Sequence, residues 1–178
     1  VLARVGPDSL AAHQIAFQLF ILLALVLDAL AIAAQVLVGQ ALGASDDVEA
    51  MAIARRMCGW GLGAGTALAL VLLLGSTVLP QMFTGDQAVL DRCAELWPLF
   101  ALAMPVGAVV FALDGILLGA GDVLYLAVAM VVAALGVFLP ILLLTLHHGW
   151  GVRGVWWGIV ALMAARLLTL GPRLLRGR

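Results

Sequence analysis

The sequence predicts an all-α transmembrane fold of about five membrane-spanning helices, and three observations support this. Hydrophobic residues make up 65% of the chain and charged residues only 11%, with a mean hydropathy of +1.20, where a soluble domain would need far more polar surface. The apolar residues come in uninterrupted runs of roughly twenty rather than in alternation, the length that crosses a hydrocarbon core about 30 Å thick. The connections between runs are short and rich in residues that stop and start helices, which makes consecutive helices antiparallel neighbours.

The first span is expected from about Ser9 to Leu42 and closes in ALGASDD, Ala41 to Asp47. A near copy, LLGAGDV at Leu117 to Val123, closes the third span, expected from about Val89 to Leu118. In each copy Gly is suited to the left-handed conformation that ends a helix, and Asp to accepting the free N–H groups that begin the next. The second span, about Val48 to Pro80, contains GWGLGAG. With no strand before it this run is no dinucleotide fingerprint. Gly59 with Gly63 and Gly61 with Gly65 instead form a close-packing face for a neighbouring helix. The third span carries Pro98 and Pro105, candidate hinges that bend a helix and free backbone carbonyls. The fourth, about Val123 to Leu146, carries Pro140 in the same way. The fifth, about Gly151 to Leu170, carries Arg166 near one end, where its guanidinium is expected to snorkel outward along its own stem.

The formal net charge of −1 and the lack of a basic stripe argue against nucleic acid as a partner. Lysine is absent, so no Walker-type phosphate lysine is available. There is no H-E-x-x-H, no G-x-S-x-G and no cysteine pair at metal spacing, so neither an enzyme nor a cofactor or metal site is expected. Cys58 and Cys93 are expected roughly 30 Å apart and therefore unpaired.

Arginine counts orient the chain. Arg55, Arg56, Arg173, Arg176 and Arg178 fall on one side and Arg4, Arg92 and Arg153 on the other, which puts both Leu-Gly-Ala-x-Asp turns and the C-terminus in the cytoplasm. Trp97, Trp150, Trp156 and Trp157 are expected at the outer interface and Trp60 and Tyr125 at the inner one. His13, His147 and His148 are expected solvated at the outer boundary.

Gln14, Gln18, Asp28 and Gln35 interrupt the first span. At about 100° per residue they occupy an arc of roughly 100° and run about 30 Å along the axis. A carboxylate near a helix centre costs at least about 2.5 kcal/mol in lipid. The stripe is therefore expected to face the bundle interior or a wet cavity, with Asp28 the leading candidate for transport or ion coupling and the glutamines candidates for the cavity lining. Hydrogen bonds between helices are the structural alternative. Asp114, about one turn before Leu118, is the second candidate, with simple contact to the interface as its alternative.

AAHQIAFQLFILLALVLDALAIAAQVLVGQALGASD, Ala11 to Asp46, resembles the eighth transmembrane helix of the multidrug and toxic compound extrusion (MATE) family, in the branch named for DinF. FALDGILLGAGDVLYLAVAM, Phe111 to Met130, resembles the tenth and eleventh helices of that branch. The resemblance implies twelve helices in two six-helix lobes and proton- or sodium-driven antiport by alternating access, with no other cofactor. On that map residues 1–178 are the C-terminal lobe, from the end of helix seven through helix twelve. The odd number of spans and the absence of an initiator Met fit an N-terminal lobe lying outside this chain. The partners implied are that lobe, the lipid bilayer of the inner (plasma) membrane and small organic substrates. Where the NorM-like branch carries an ion-binding carboxylate in its tenth helix, this sequence has Gly107. The alternatives are a lipid-linked oligosaccharide flippase of the same superfamily, expected to show basic residues in its cavity, and a non-transporting scaffold subunit.

Overall fold

The computed structural model describes residues 6–176, with the side chain of Arg176 left aside. Arg4 and Arg178, used above for orientation, lie outside the described residues. The elements are α1 (Pro7–Gly43), α2 (Asp47–Leu74), the short α3 (Val78–Gln81), α4 (Gln87–Gly119), α5 (Val123–Ala133), a π-helical turn (Ala134–Phe138), α6 (Leu139–His148) and α7 (Gly151–Arg176). Among the described residues five spans are long and apolar enough to cross a membrane: α1, α2, α4, the run from α5 through α6, and α7. No strand occurs among the described residues. This is the predicted all-α class.

Three features differ from expectation, one of them the fifth span, which continues past Leu170 through Pro172 to Arg176. The second span stops at Leu74, and Thr77 leads into α3 on the way to Pro80. Pro140 does not merely bend the fourth span: the π turn falls immediately before Leu139 and Pro140, where the missing proline N–H already prevents a regular ladder.

The two Leu-Gly-Ala-x-Asp turns have the same hydrogen bonds. Ser45 N–H donates to Leu42 O at 2.9 Å and Asp46 N–H to Ala41 O at 3.0 Å, while Gly121 N–H donates to Leu118 O at 3.0 Å and Asp122 N–H to Leu117 O at 2.9 Å. Both are Schellman closures. The left-handed residue is the variable one, Ser45 at φ 61° and Gly121 at φ 76°, not the Gly of Leu-Gly-Ala. Asp46 caps α2 by accepting from Glu49 N–H at 2.9 Å. Asp122, in the equivalent place, makes no side-chain cap.

α4 is the hub. In its most apolar window 61% of residues are buried, against 11% for the α5 to α6 span, and it packs on α1, α2 and α7. Small residues set these distances: a methyl group on Gly115 or Gly119 would run into the α1 backbone at Ala31 or Gln35, and one on Gly61 or Gly65 into the α4 backbone near Ala108 and Met104. Gly59 and Gly63 face open space, so only one of the two expected glycine pairs makes the packing face.

At the end away from the two turns, the core holds an aromatic cluster. Phe100 lies 5.6 Å from Trp97 and 5.3 Å from Trp156, ring centre to ring centre. Trp97 and Trp156 are fully buried and so lie inside the bundle rather than in an interfacial belt, whereas Trp150, Trp157 and Trp60 are exposed. Trp97 can be buried because its indole N–H donates to Leu72 O at 2.7 Å, a carbonyl at the unsatisfied end of α2. His13 is likewise less solvated than expected: it stacks on Phe17, meets Trp156 edge-on, and its Nδ1 is buried without a partner. Cys58 and Cys93 are both free thiols.

Candidate functional site

α1 buries a face made mostly of small residues, among them Ala12, Ala16, Ala31 and Ala34, together with Leu27 and Val38. At about 100° per residue the centre of that face lies roughly 140° from the centre of the polar stripe. Gln14, Gln18, Asp28 and Gln35 are accordingly all exposed, flanked by exposed Ile21, Leu25, Ile32 and Val36. Among the described residues the Asp28 carboxylate has no hydrogen-bond or ion-pair partner. The interior of this five-span bundle is therefore not what the stripe faces. It is presented outward, on the side of α1 away from α4.

The second candidate, Asp114, is placed differently. Its Oδ1 accepts from Arg166 Nη2 at 2.6 Å, linking α4 to α7, and the two side chains are only 20% and 10% exposed. Arg166 does not snorkel as expected. A lone guanidinium in a span reaches for the interface, but one with a carboxylate on the adjoining helix gains a charge-assisted hydrogen bond by staying in place. Its Nε is buried without a partner.

Two turns further along α7, on the same face, Arg173 Nε donates to Asp122 Oδ2 at 2.7 Å and its guanidinium lies 5.1 Å from the centre of the Tyr125 ring. The Tyr125 hydroxyl donates to Thr169 O at 2.7 Å. Together these contacts fasten the last turns of α7 to the corner between α4 and α5. The outer pair is the more open one at its arginine, 34% exposed against 10% for Arg166, and the inner pair leaves either charge stranded if its partner is removed. Sequence reasoning missed Arg166 and Asp122 as members of this network. The available signal was two lone opposite charges, Asp114 and Arg166, in different spans near the same end of the bundle.

Pro98 is exposed and Pro105 half-buried, and α4 remains one helix from Gln87 to Gly119 through both. Gly65 of α2 lies directly on the Pro105 backbone. Gly107 is buried, yet no heavy atom lies within 4 Å of where its methyl would be. No cluster of three or more His, Cys, Asp or Glu that could hold a metal occurs among the described residues. At the end bearing the two turns, a cavity of about 400 Å³ opens between α1, α2, α4 and α7.

The MatE family model matches residues 1–144. The chain is 34% identical over 164 residues to Protein DETOXIFICATION 42 of Arabidopsis thaliana, covering 92% of this chain and 32% of that protein. It is 29% identical to a probable multidrug resistance protein NorM of Xylella fastidiosa, covering 97% of this chain and 37% of the relative. The chain thus spans about a third of the length of the curated relatives it matches. Among solved structures, the crystal structure of a MATE in the bent conformation superposes with a TM-score of 0.86 at 22% identity, over 96% of this chain and 38% of that one.

Proposed function

Because the chain belongs to the MatE family, whose members are transporters rather than enzymes, we propose that it is the C-terminal lobe of a proton- or sodium-coupled antiporter. Its substrates are amphipathic organic compounds, exported across the plasma membrane by alternating access. The chain supplies the end of helix seven and helices eight to twelve, its C-terminus is cytoplasmic, and an N-terminal lobe completes the cavity. The branch is the DinF-like one.

The observation that supports this most directly is the exposed, unpartnered Asp28 on a helix of 37 residues. A carboxylate at that depth is too costly to leave against lipid. The stripe of Gln14, Gln18, Asp28 and Gln35 therefore belongs against water or against another part of the protein, as the wall of a transport cavity does. Asp28 is the coupling group, free to take up and release a proton or cation, while Asp114 is held by Arg166 and positions α4 against α7. Pro98 and Pro105 serve as hinges of α4 during the cycle. The oligosaccharide flippase is disfavoured, since Arg166, the buried arginine of the spans among the described residues, is paired with Asp114 rather than left to hold a pyrophosphate.

Asp28→Asn tests the assignment in the complete transporter. Asparagine keeps the volume and can still hydrogen-bond, so expression and thermal stability should be normal, while efflux of a cationic dye should fall or its pH dependence should move. Unchanged transport and pH profile, together with destabilisation by Asp28→Leu, would make Asp28 structural and overturn it.

A further inference from the structure

We propose that a groove of about 540 Å³ at the end of the bundle away from the two turns, lined by Trp150, Arg153, Gly154 and Trp157, holds the headgroup of an anionic phospholipid with its phosphate on Arg153. Trp150 stands just before α7 and the other three within its first two turns. At about 100° per residue the four span an arc of roughly 100°, with about 10 Å along the axis from one indole to the other. The arc centres roughly 110° round the helix from Val152, Trp156 and Val160, which join the core with residues of α1 and α4. The groove thus lies on a flank of α7 turned away from the core, and nothing in it depends on the role assigned to Asp28.

Three features select the ligand, the first being an under-used guanidinium. Arg92 Nη1 donates to Glu95 Oε1 at 2.8 Å, whereas Arg153 Nε stands 3.5 Å from Glu95 Oε2. Charge-assisted hydrogen bonds are about 2.7 to 2.9 Å long, so two arginines share one carboxylate and only Arg92 bonds it. The Arg153 side chain is 62% exposed and makes no hydrogen bond among the described residues, which leaves its planar fork for a pair of phosphate oxygens. Asp91, one turn before Glu95, accepts from the Gln87 amide at 2.9 Å and pairs with neither arginine. The second feature is the walls: Trp150 and Trp157 are exposed, and His148 stacks on Trp150 at 5.5 Å. Indoles at the edge of a span pack beside the glycerol and first methylenes of a lipid, and a bare phosphate ion would leave them unused. The third is position, since the groove opens where the span Val123–His148 ends and Gly151–Leu175 begins, at headgroup depth. A zwitterionic headgroup brings an ammonium that competes with Arg153 for its own phosphate, and the one carboxylate nearby is taken by Arg92. An anionic headgroup meets no such competition.

The test uses the complete transporter, delipidated in detergent and titrated with phosphatidylglycerol, phosphatidylcholine or glycerol 3-phosphate under native mass spectrometry. The first phosphatidylglycerol should bind about threefold tighter than phosphatidylcholine. R153Q should weaken it about fivefold at an unchanged melting temperature, and R153K by less, because lysine keeps the charge but loses the fork. E95Q should tighten it about twofold by releasing Arg153. A pair that served only to hold α4 to α7 would make R153Q and E95Q behave alike. W157A should weaken lipid binding about threefold, and glycerol 3-phosphate, which lacks the apolar part, should bind about tenfold more weakly than the lipid. D28N should change none of these affinities, which separates this site from the proposed coupling role. Phosphatidylglycerol binding in R153Q that matches wild type would overturn the proposal. So would equal binding of the two lipids, glycerol 3-phosphate binding as tightly as phosphatidylglycerol, or no saturable lipid adduct at all, the result expected if another lobe or a second copy covers the groove.

Discussion

Removing either member of the Asp114–Arg166 pair should be far more costly than removing both. The two side chains are 20% and 10% exposed and meet at 2.6 Å across α4 and α7. Arg166→Met leaves a carboxylate with no counter-charge among apolar neighbours such as Leu113 and Leu117. Stranding one charge of a buried pair costs about 3 to 5 kcal/mol. Asp114→Leu strands Arg166, whose guanidinium stays charged and whose Nε already has no partner. The double variant carries no charge at the contact and replaces the pair with packed methylenes, an exchange that is commonly neutral or stabilising. Equilibrium unfolding in mixed micelles, run as a double-mutant cycle, should therefore show each single variant destabilised by about 3 to 5 kcal/mol and the double variant close to wild type. Single effects that add in the double variant to within about 0.5 kcal/mol would refute the reasoning, because residues that do not interact behave that way.

Gly115→Val should destabilise by about 1 to 3 kcal/mol, since its side chain would enter the α1 backbone at Ala31, while Gly107→Ala, with open space at its methyl, should be nearly neutral in the same thermal melts. Cys93 is fully buried and should resist a membrane-impermeant maleimide added to either side of a sealed vesicle; rapid labelling would show that the α4 end is loosely packed. Asp46→Ala should cost about 1 kcal/mol by uncapping α2, and Asp46→Ser should recover most of it. Asp122→Ser should not rescue Asp122→Ala in a parallel experiment, because Asp122 bonds Arg173 rather than capping α5.

The sequence by itself determined the five spans, their order and the two equivalent turns. In lipid every backbone N–H and C=O must be satisfied within its own segment, so a sufficiently apolar run of adequate length has one outcome, and the punctuation between runs is local chemistry. That is why α4 ran within two residues of its expected limits and why both Leu-Gly-Ala-x-Asp turns closed alike. Tertiary structure alone decided which face of each helix is inside. The polar stripe of α1 is visible in the sequence, but a stripe does not say whether it faces the other helices of this bundle, and only the packing of Gly115 on Ala31 shows that the side carrying Asp28 lies away from them. For the same reason Trp97 and Trp156 could be expected at an interface and yet lie in the core, Trp97 because Leu72 offers a carbonyl across the bundle. The pairing of Asp114 with Arg166, 52 residues apart, follows from α4 and α7 lying side by side. A charge in a span is visible in the sequence, but whether it is stranded, snorkelled or neutralised depends on which neighbour the fold places beside it.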